Sequence, residues 1–258
     1  MIRAYAKINW ALRVTGRRAD GYHDIETLFQ TISLCDELTI EPDSALTLTC
    51  SDPSIPVDDS NLVLRAAKAI GVTARMHLQK RIPAGGGLGG GSADAAAVLQ
   101  AFGCTDPRVA LSLGSDVPFF LRGGTAYATG RGEVLVPLDR VAPVPLLLLM
   151  PAERVLTAEA YGMVRRFSAP LGLERYRAMI ADGLLDHATE LVNDFEEAVF
   201  AKFPQFHALK TRLIEAGAAW AGMSGSGSTI AGAFRSPAER TAAQQRFGDV
   251  RSVRCDTT

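Results

Sequence analysis

The chain has 258 residues, 47% hydrophobic and 21% charged, with a net charge of −1. That is enough apolar chain to bury a core, and it excludes the basic surface that nucleic acid or an anionic membrane requires. Four scattered cysteines, Cys35, Cys50, Cys104 and Cys255, form no C-x-x-C pair, which excludes a disulfide framework or thiolate metal site. The longest apolar run, Val144–Met150, is broken by Pro145 and falls far short of the ~20 residues of a membrane span. The N-terminus carries no apolar signal core, so the expectation is a cytoplasmic protein that binds no nucleic acid and no membrane.

In chain order, Tyr5–Arg13 has strand character and places Lys7 and Asn9, two apart, on one face. The chain holds five lysines against 22 arginines, a weak hint that Lys7 supplies a compact charge. Asp20-Gly21 is a turn signal, with Tyr22 and His23 behind it. Strands are predicted over Thr27–Ser33, Glu37–Glu41 and Leu46–Cys50, before any convincing helix, and this order argues for α+β layers. Asp58–Ile70 reads as a capped amphipathic helix that ends at Gly71. Met76–Ile82 alternates like a strand, and Pro83 ends its pairing.

Next comes the most informative stretch, Pro83-Ala84-Gly85-Gly86-Gly87-Leu88-Gly89-Gly90-Gly91-Ser92-Ala93. Six glycines in seven positions forgo about 2–6 kcal/mol through the freedom they give the unfolded chain, a heavy burden for a mere linker. A strand precedes them and an alanine-rich helix, predicted over Ser92–Phe102, follows. Strand, glycine loop and helix N-terminus together form the arrangement whose amides and dipole hold phosphate. On this reading a Cβ at Gly87 or Gly90 fills space meant for phosphate or forbids φ > 0. The loop lacks the Gly-Lys-Ser/Thr of a Walker motif. It matches G-x-G-x-x-G through Gly85, Gly87 and Gly90, with Asp106 about 20 residues on. However, a single helix and a turn fill the interval, so the acid cannot end a second parallel strand.

Farther on, Asp116 sits in a small-residue turn beside Val117-Pro118-Phe119-Phe120, where an N-cap is the ordinary reading. Gly130-Arg131-Gly132 joins Thr125–Thr129 and Glu133–Pro137 in a hairpin, and Pro145–Met150 reads as a buried strand. A boundary near Pro151 divides the chain into residues 1–150 and a more helical 151–258. Helices are predicted over Thr157–Phe167, Leu173–Ala181, Ala188–Phe200 and Phe206–Ala216. Asn193-Asp194-Phe195-Glu196 taken alone is a solvated helix face with a structural duty. Met223–Thr229 is a second glycine-rich turn, between strands Ala218–Ala221 and Ile230–Phe234.

These motifs resemble the GHMP kinases, small-molecule kinases whose P-x3-G-L-x-S-S/G-A loop wraps ATP. Ala6-Lys7-Ile8-Asn9 is similar to the family's opening A-K-x-N, Asp20–His23 to a D-G-Y-H signature, and Leu113–Phe120 to G-A-D-V-P-x-F with Ser115 for alanine. Arg154–Tyr161 resembles S-x-x-T-P-x-x-Y/F with Ala158 for proline, and Met223–Thr229 resembles the third family motif. The resemblance implies a two-domain α+β fold, an ATP-binding first half and a ferredoxin-like second half, with the active site in a cleft between them.

It further implies ATP and Mg2+ as cofactors, residues 83–93 as the nucleotide loop, and Ser92 within reach of the metal. Asp116 is implied as catalytic base, with Lys7 beside it. The three glycines after Leu88 and the D-G-Y-H string point to the branch that phosphorylates a cytidine diphosphate alcohol, as a monomer or homodimer. Asn9, Tyr22, His23, Thr157 and Tyr161 are its implied substrate residues. A family member acting on homoserine, mevalonate or a sugar, a nicotinamide oxidoreductase and a non-catalytic RNA-binding module stay open as alternatives.

Overall fold

Alternating apolar side chains make the first 50 residues almost wholly β. A computed structural model describes the whole chain, Met1–Thr258, and begins with β1 (Ile2–Arg17), β2 (His23–Pro42) and β3 (Thr47–Cys50). Then follow α1 (Leu62–Ala69), β4 (Ala74–Gln79), α2 (Gly90–Ala101), α3 (Pro107–Leu113) and α4 (Val117–Phe120). Three strands come next, β5 (Thr125–Thr129), β6 (Val134–Pro137) and β7 (Pro145–Met150). The remainder is α5 (Thr157–Met163), α6 (Leu173–Asp182), a 3-10 turn at Leu184–His187, α7 (Phe195–Lys202), α8 (Pro204–Glu215), β8 (Trp220–Met223), β9 (Ile230–Ala233), α9 (Pro237–Gln244) and β10 (Arg251–Asp256).

These elements form two compact units that interleave along the chain. The first comprises Met1–Lys7, Leu34–Ala84 and Gly89–Gly123, the second Ile8–Ser33, Gly85–Leu88 and Gly124–Thr258. In the first unit the far half of β2 pairs antiparallel with β4, and β4 pairs parallel with β3. Helix α2 is buried over every residue from Ala93 to Leu99, and its alanines allow close packing on all sides. Val63, Leu64, Met76 and Phe119 complete that core. In the second unit the near half of β2 pairs with β5, and β5 with β6. A four-stranded antiparallel sheet runs β10-β7-β9-β8, and Leu147, Leu149, Phe195, Phe206 and Ile230 pack in its core with Leu12, Val14 and Ile25. Ile32 bridges to Thr257 in the same unit, and the Asp256 N–H donates to Ser33 Oγ, 223 residues away in sequence.

Several boundaries differ from the sequence reading. The two strands expected over Thr27–Ser33 and Glu37–Glu41 are one, because the interrupting Asp36 is fully buried and finds partners instead of solvent. β4 ends at Gln79, and Lys80–Ile82 turn toward Asp36. α2 starts at Gly90, inside the glycine run. α7 starts only at Phe195, where Asn193 Oδ1 accepts the Phe195 N–H and so sets the first turn. α5 stops at Met163, which releases Phe167 from the helix.

Candidate active site

In the first unit, Gly89 closes the loop at φ 71°, in the left-handed region that glycine adopts without strain, and α2 begins at the next residue. No side chain caps this helix and no acid lies in its first turn. The first intrahelical bond runs from Ala93 N to Gly89 O, so the N–H groups of Gly90, Gly91 and Ser92 have no helical acceptor. Three unbonded donors at the positive end of a 12-residue helix make a seat for an anion. The half-buried Ser92 hydroxyl stands in the same turn.

The same unit brings Lys7 and Asp116 together. Lys7 Nζ lies 3.8 Å from Asp116 Oδ2, with the lysine side chain 5% and the aspartate 32% exposed. Asp116 occupies the N-cap position of α4 but makes no capping hydrogen bond. The ordinary reading of that residue therefore fails, and its carboxylate is left facing the lysine. Burial lowers the Lys7 ammonium below the usual lysine pKa, and Asp116 draws it part of the way back. A Cβ on Gly89 would stand 2.6 Å from the Phe120 ring and 3.3 Å from Lys7 Cγ, so the end of the glycine loop packs directly on this pair's surroundings.

In the second unit, the loop's first half is laced to the second glycine-rich turn. Ser224 Oγ donates to Gly87 O at 2.9 Å, and Thr229 N donates to Gly86 O at 3.2 Å. A Cβ on Gly87 would lie 2.0 Å from Ser224 O. Gly87 has the expected positive φ, 75°, but the expected room for phosphate is absent: at Gly87 and at Gly90 the space a Cβ would take is filled by protein. Gly91 is exposed, and a Cβ there would meet Leu62 Cδ1 at 3.5 Å, an ordinary contact that needs no neighbour to move.

An aromatic group stands elsewhere in that unit. His23 stacks on Tyr161 with centroids 4.9 Å apart and planes at 19°, Phe167 tilts against His23, and Phe195 meets Tyr161 edge-on. Burial and the charge of Arg17 lower the His23 pKa. Tyr22 is 54% exposed, and the Arg131 guanidinium lies 4.6 Å from its ring centroid. Thr157 Oγ1 is 3.1 Å from Ser226 Oγ, which ties the start of α5 to the glycine-rich turn. Asn9 is buried and donates to Thr27 Oγ1 at 2.7 Å. Asp106 is the N-cap of α3, with its carboxylate accepting the Arg108 N–H, so it is no ribose acid.

Residues 61–124 match the model for the GHMP kinases N terminal domain, and residues 178–250 match that for GHMP kinases C terminal. A 4-diphosphocytidyl-2-C-methyl-D-erythritol kinase of Prosthecochloris aestuarii is 40% identical over 94% of this chain and 92% of its own. The chain belongs to the GHMP kinase family. A kinase of the same name from Solibacter usitatus is 45% identical over 91% of this chain and 81% of its own. The crystal structure of a 4-(cytidine 5'-diphospho)-2C-methyl-D-erythritol kinase, 37% identical, superposes with a TM-score of 0.83 over 99% of this chain and 98% of that one. The α+β fold is thus the GHMP kinase fold, and the protein is a small-molecule kinase.

Two groups of residues in this GHMP kinase were read incompletely or not at all from the sequence. Asn193-Asp194-Phe195-Glu196 has the expected structural duty, but as a brace and not as a solvated face. Asn193 Nδ2 donates to Met223 O (2.7 Å) and Gly225 O (2.8 Å), and Glu196 accepts the Met223 N–H at 2.7 Å. Asp194 accepts from Val14 N and Ser168 Oγ. The second group is Asp36, Lys80 and Asp94, a buried ion-pair cluster. Its one signal in the sequence was Asp94, a lone acid in an alanine-rich run.

Proposed function

We propose that this GHMP kinase phosphorylates the 2-hydroxyl of 4-diphosphocytidyl-2-C-methyl-D-erythritol, a step of isoprenoid precursor synthesis by the non-mevalonate pathway, in the cytoplasm. The observation that carries the transfer is the Lys7–Asp116 pair in the unit that holds the uncapped start of α2. The named kinases that share 40–45% of its residues supply the acceptor.

An uncapped helix start without an acid in its first turn, and a half-buried hydroxyl beside it, fit a magnesium–nucleotide phosphate group. MgATP supplies the phosphoryl group and neutralises its charge. The N–H groups of Gly90, Gly91 and Ser92 hold the phosphates, and Ser92 Oγ is the protein's ligand toward Mg2+. Asp116 takes the proton of the acceptor hydroxyl, the role of the carboxylate base in phosphoryl transfer. Lys7 faces that carboxylate and stabilises charge on the transferring group. Tyr22 and Tyr161 cover the two faces of the cytosine, with His23 on its edge and Asn9 and Thr157 on the rest of the acceptor. His23 occupies a face of Tyr161, so a base entering there changes places with the imidazole.

A coupled ATP-consumption assay tests this over the cytidine compound, its uridine analogue, homoserine and mevalonate. Uracil reverses the donor–acceptor pattern at two edge positions and leaves buried polar groups unpaired. The uridine compound is therefore expected to fall by about 10³-fold or more in kcat/KM. Equal turnover of the two nucleotides, or preference for homoserine or mevalonate, transfers the reading to another GHMP kinase activity.

A further inference from the structure

Apart from the residues assigned to the reaction, the first unit contains one wholly buried charged cluster. Lys80 Nζ bonds Asp36 Oδ2 and, at 2.8 Å, Asp94 Oδ2, while Asp36 Oδ1 accepts the N–H groups of Arg81 and Ile82. The side chains of Lys80, Asp36 and Asp94 are 7%, 0% and 3% exposed. Burial pushes the Asp94 carboxyl up to about 7 against the pull of Lys80. Burial also pushes the Lys80 ammonium down, and the two carboxylates more than reverse it. Charges buried in this way lose their hydration, and well-packed apolar residues in their place are often as stable or more so. Stability does not account for them.

Their position relative to α2 does. Gly90 has an ordinary φ, so it is glycine for space alone, and a Cβ there would lie 2.9 Å from Ile82 Cγ2 and 3.3 Å from Lys80 Nζ. Gly90 and Asp94 are four apart and so share one face of the helix. Both lie on Lys80. The first turn of α2, which carries the unbonded N–H groups, is thus seated between two contacts with one ammonium, and Asp36 anchors that ammonium and the two following amides.

We propose that Asp36, Lys80 and Asp94 form a clasp that sets the first turn of α2 for the phosphates of ATP, with Lys80 and Asp94 as positioning residues. The inference rests on the reading of α2 as the phosphate seat. Calorimetric binding of a non-hydrolysable ATP analogue with Mg2+ tests it, alongside binding of the cytidine compound and thermal melting. Asp94→Leu leaves the neutral Lys80–Asp36 pair and is expected to fold. It should weaken the analogue by about 10- to 100-fold, the size of one lost charge-assisted hydrogen bond, and leave the cytidine affinity alone. Asp94→Asn keeps a hydrogen-bond acceptor for Lys80 and should restore most of the loss.

Gly90→Ala presses on the same clasp from the loop side without altering a charge, and should give the same selective loss even where Asp94→Leu fails to fold. Analogue affinity unchanged in Gly90→Ala or in a folded Asp94→Leu, or a proportional loss of both ligands, overturns the clasp. Wild-type protein that binds no analogue overturns the phosphate seat and the clasp together.

Discussion

Lys7 carries an ammonium to a place where 5% of its side chain meets water, and its partner Asp116 is the more exposed of the two. Burying an ammonium costs stability, and the proposed reaction gives this lysine a reason to be there. Lys7→Met is expected to raise the melting temperature and abolish turnover. Because folding lowers this lysine's pKa, the unfolded chain binds more protons in the interval below the ordinary value of 10.5. Stability from this group therefore rises with pH across that interval, and the slope should vanish in Lys7→Met. Asp116→Asn isolates basicity, since the side chain makes no capping bond that an amide could disturb. Turnover should fall by about 10²–10⁴-fold with nucleotide affinity nearly unchanged, and a variant with normal turnover returns the residue to a structural role. The identity of these two residues was legible in the sequence only through family resemblance. Nothing in local spacing tells a base from a cap, because the capping bond that Asp116 declines is a fact of three dimensions.

At the level of elements, the glycine run was legible as a tight loop that leads into the N-terminus of a helix, and the reason for each glycine was not. Gly87 faces the carbonyl of Ser224, 137 residues away in sequence, and no local pattern reports that neighbour. Gly87→Ala is expected to destabilise the protein and loosen the Ser224–Thr229 turn. Gly91→Ala should melt like wild type and lose nucleotide affinity, because the added methyl makes only an ordinary contact with Leu62 Cδ1 and otherwise stands beside the unbonded N–H groups. Melting curves and analogue titration of the pair separate the two roles, and a strongly destabilised Gly91→Ala contradicts the assignment. The strand and helix types were mostly read correctly from periodicity. The errors cluster where a polar side chain makes a distant backbone bond, as at Asp36 in β2 and Asn193 before α7, since such bonds override local propensity.

For the whole molecule, length and motif order conveyed the α+β class, and the interleaving of the two units could not be read in advance. Residues from the first 33 positions pack in one core with residues beyond 146. A cut near Pro151, where composition changes, strips Leu12, Val14 and Ile25 of Phe195, Phe206 and Ile230. The isolated 1–150 fragment keeps the first unit whole but loses this second core, so its unfolding enthalpy is expected to be far below that of the whole chain, and a melt of equal size speaks against this. The tie between Ser33 and Asp256 carries a consequence for how the chain reaches its native state. Closing a 223-residue loop costs about 5 kcal/mol of chain entropy before the contact returns anything, whereas β5 and β6 are joined by a short turn. Strand pairings of that separation are slow to find, so the edge of β2 near Ile32 is among the last surfaces to close. During that interval its unpaired amides are open to any extended chain nearby, so the yield of refolded protein is expected to fall as its concentration rises, which a dilution series checks.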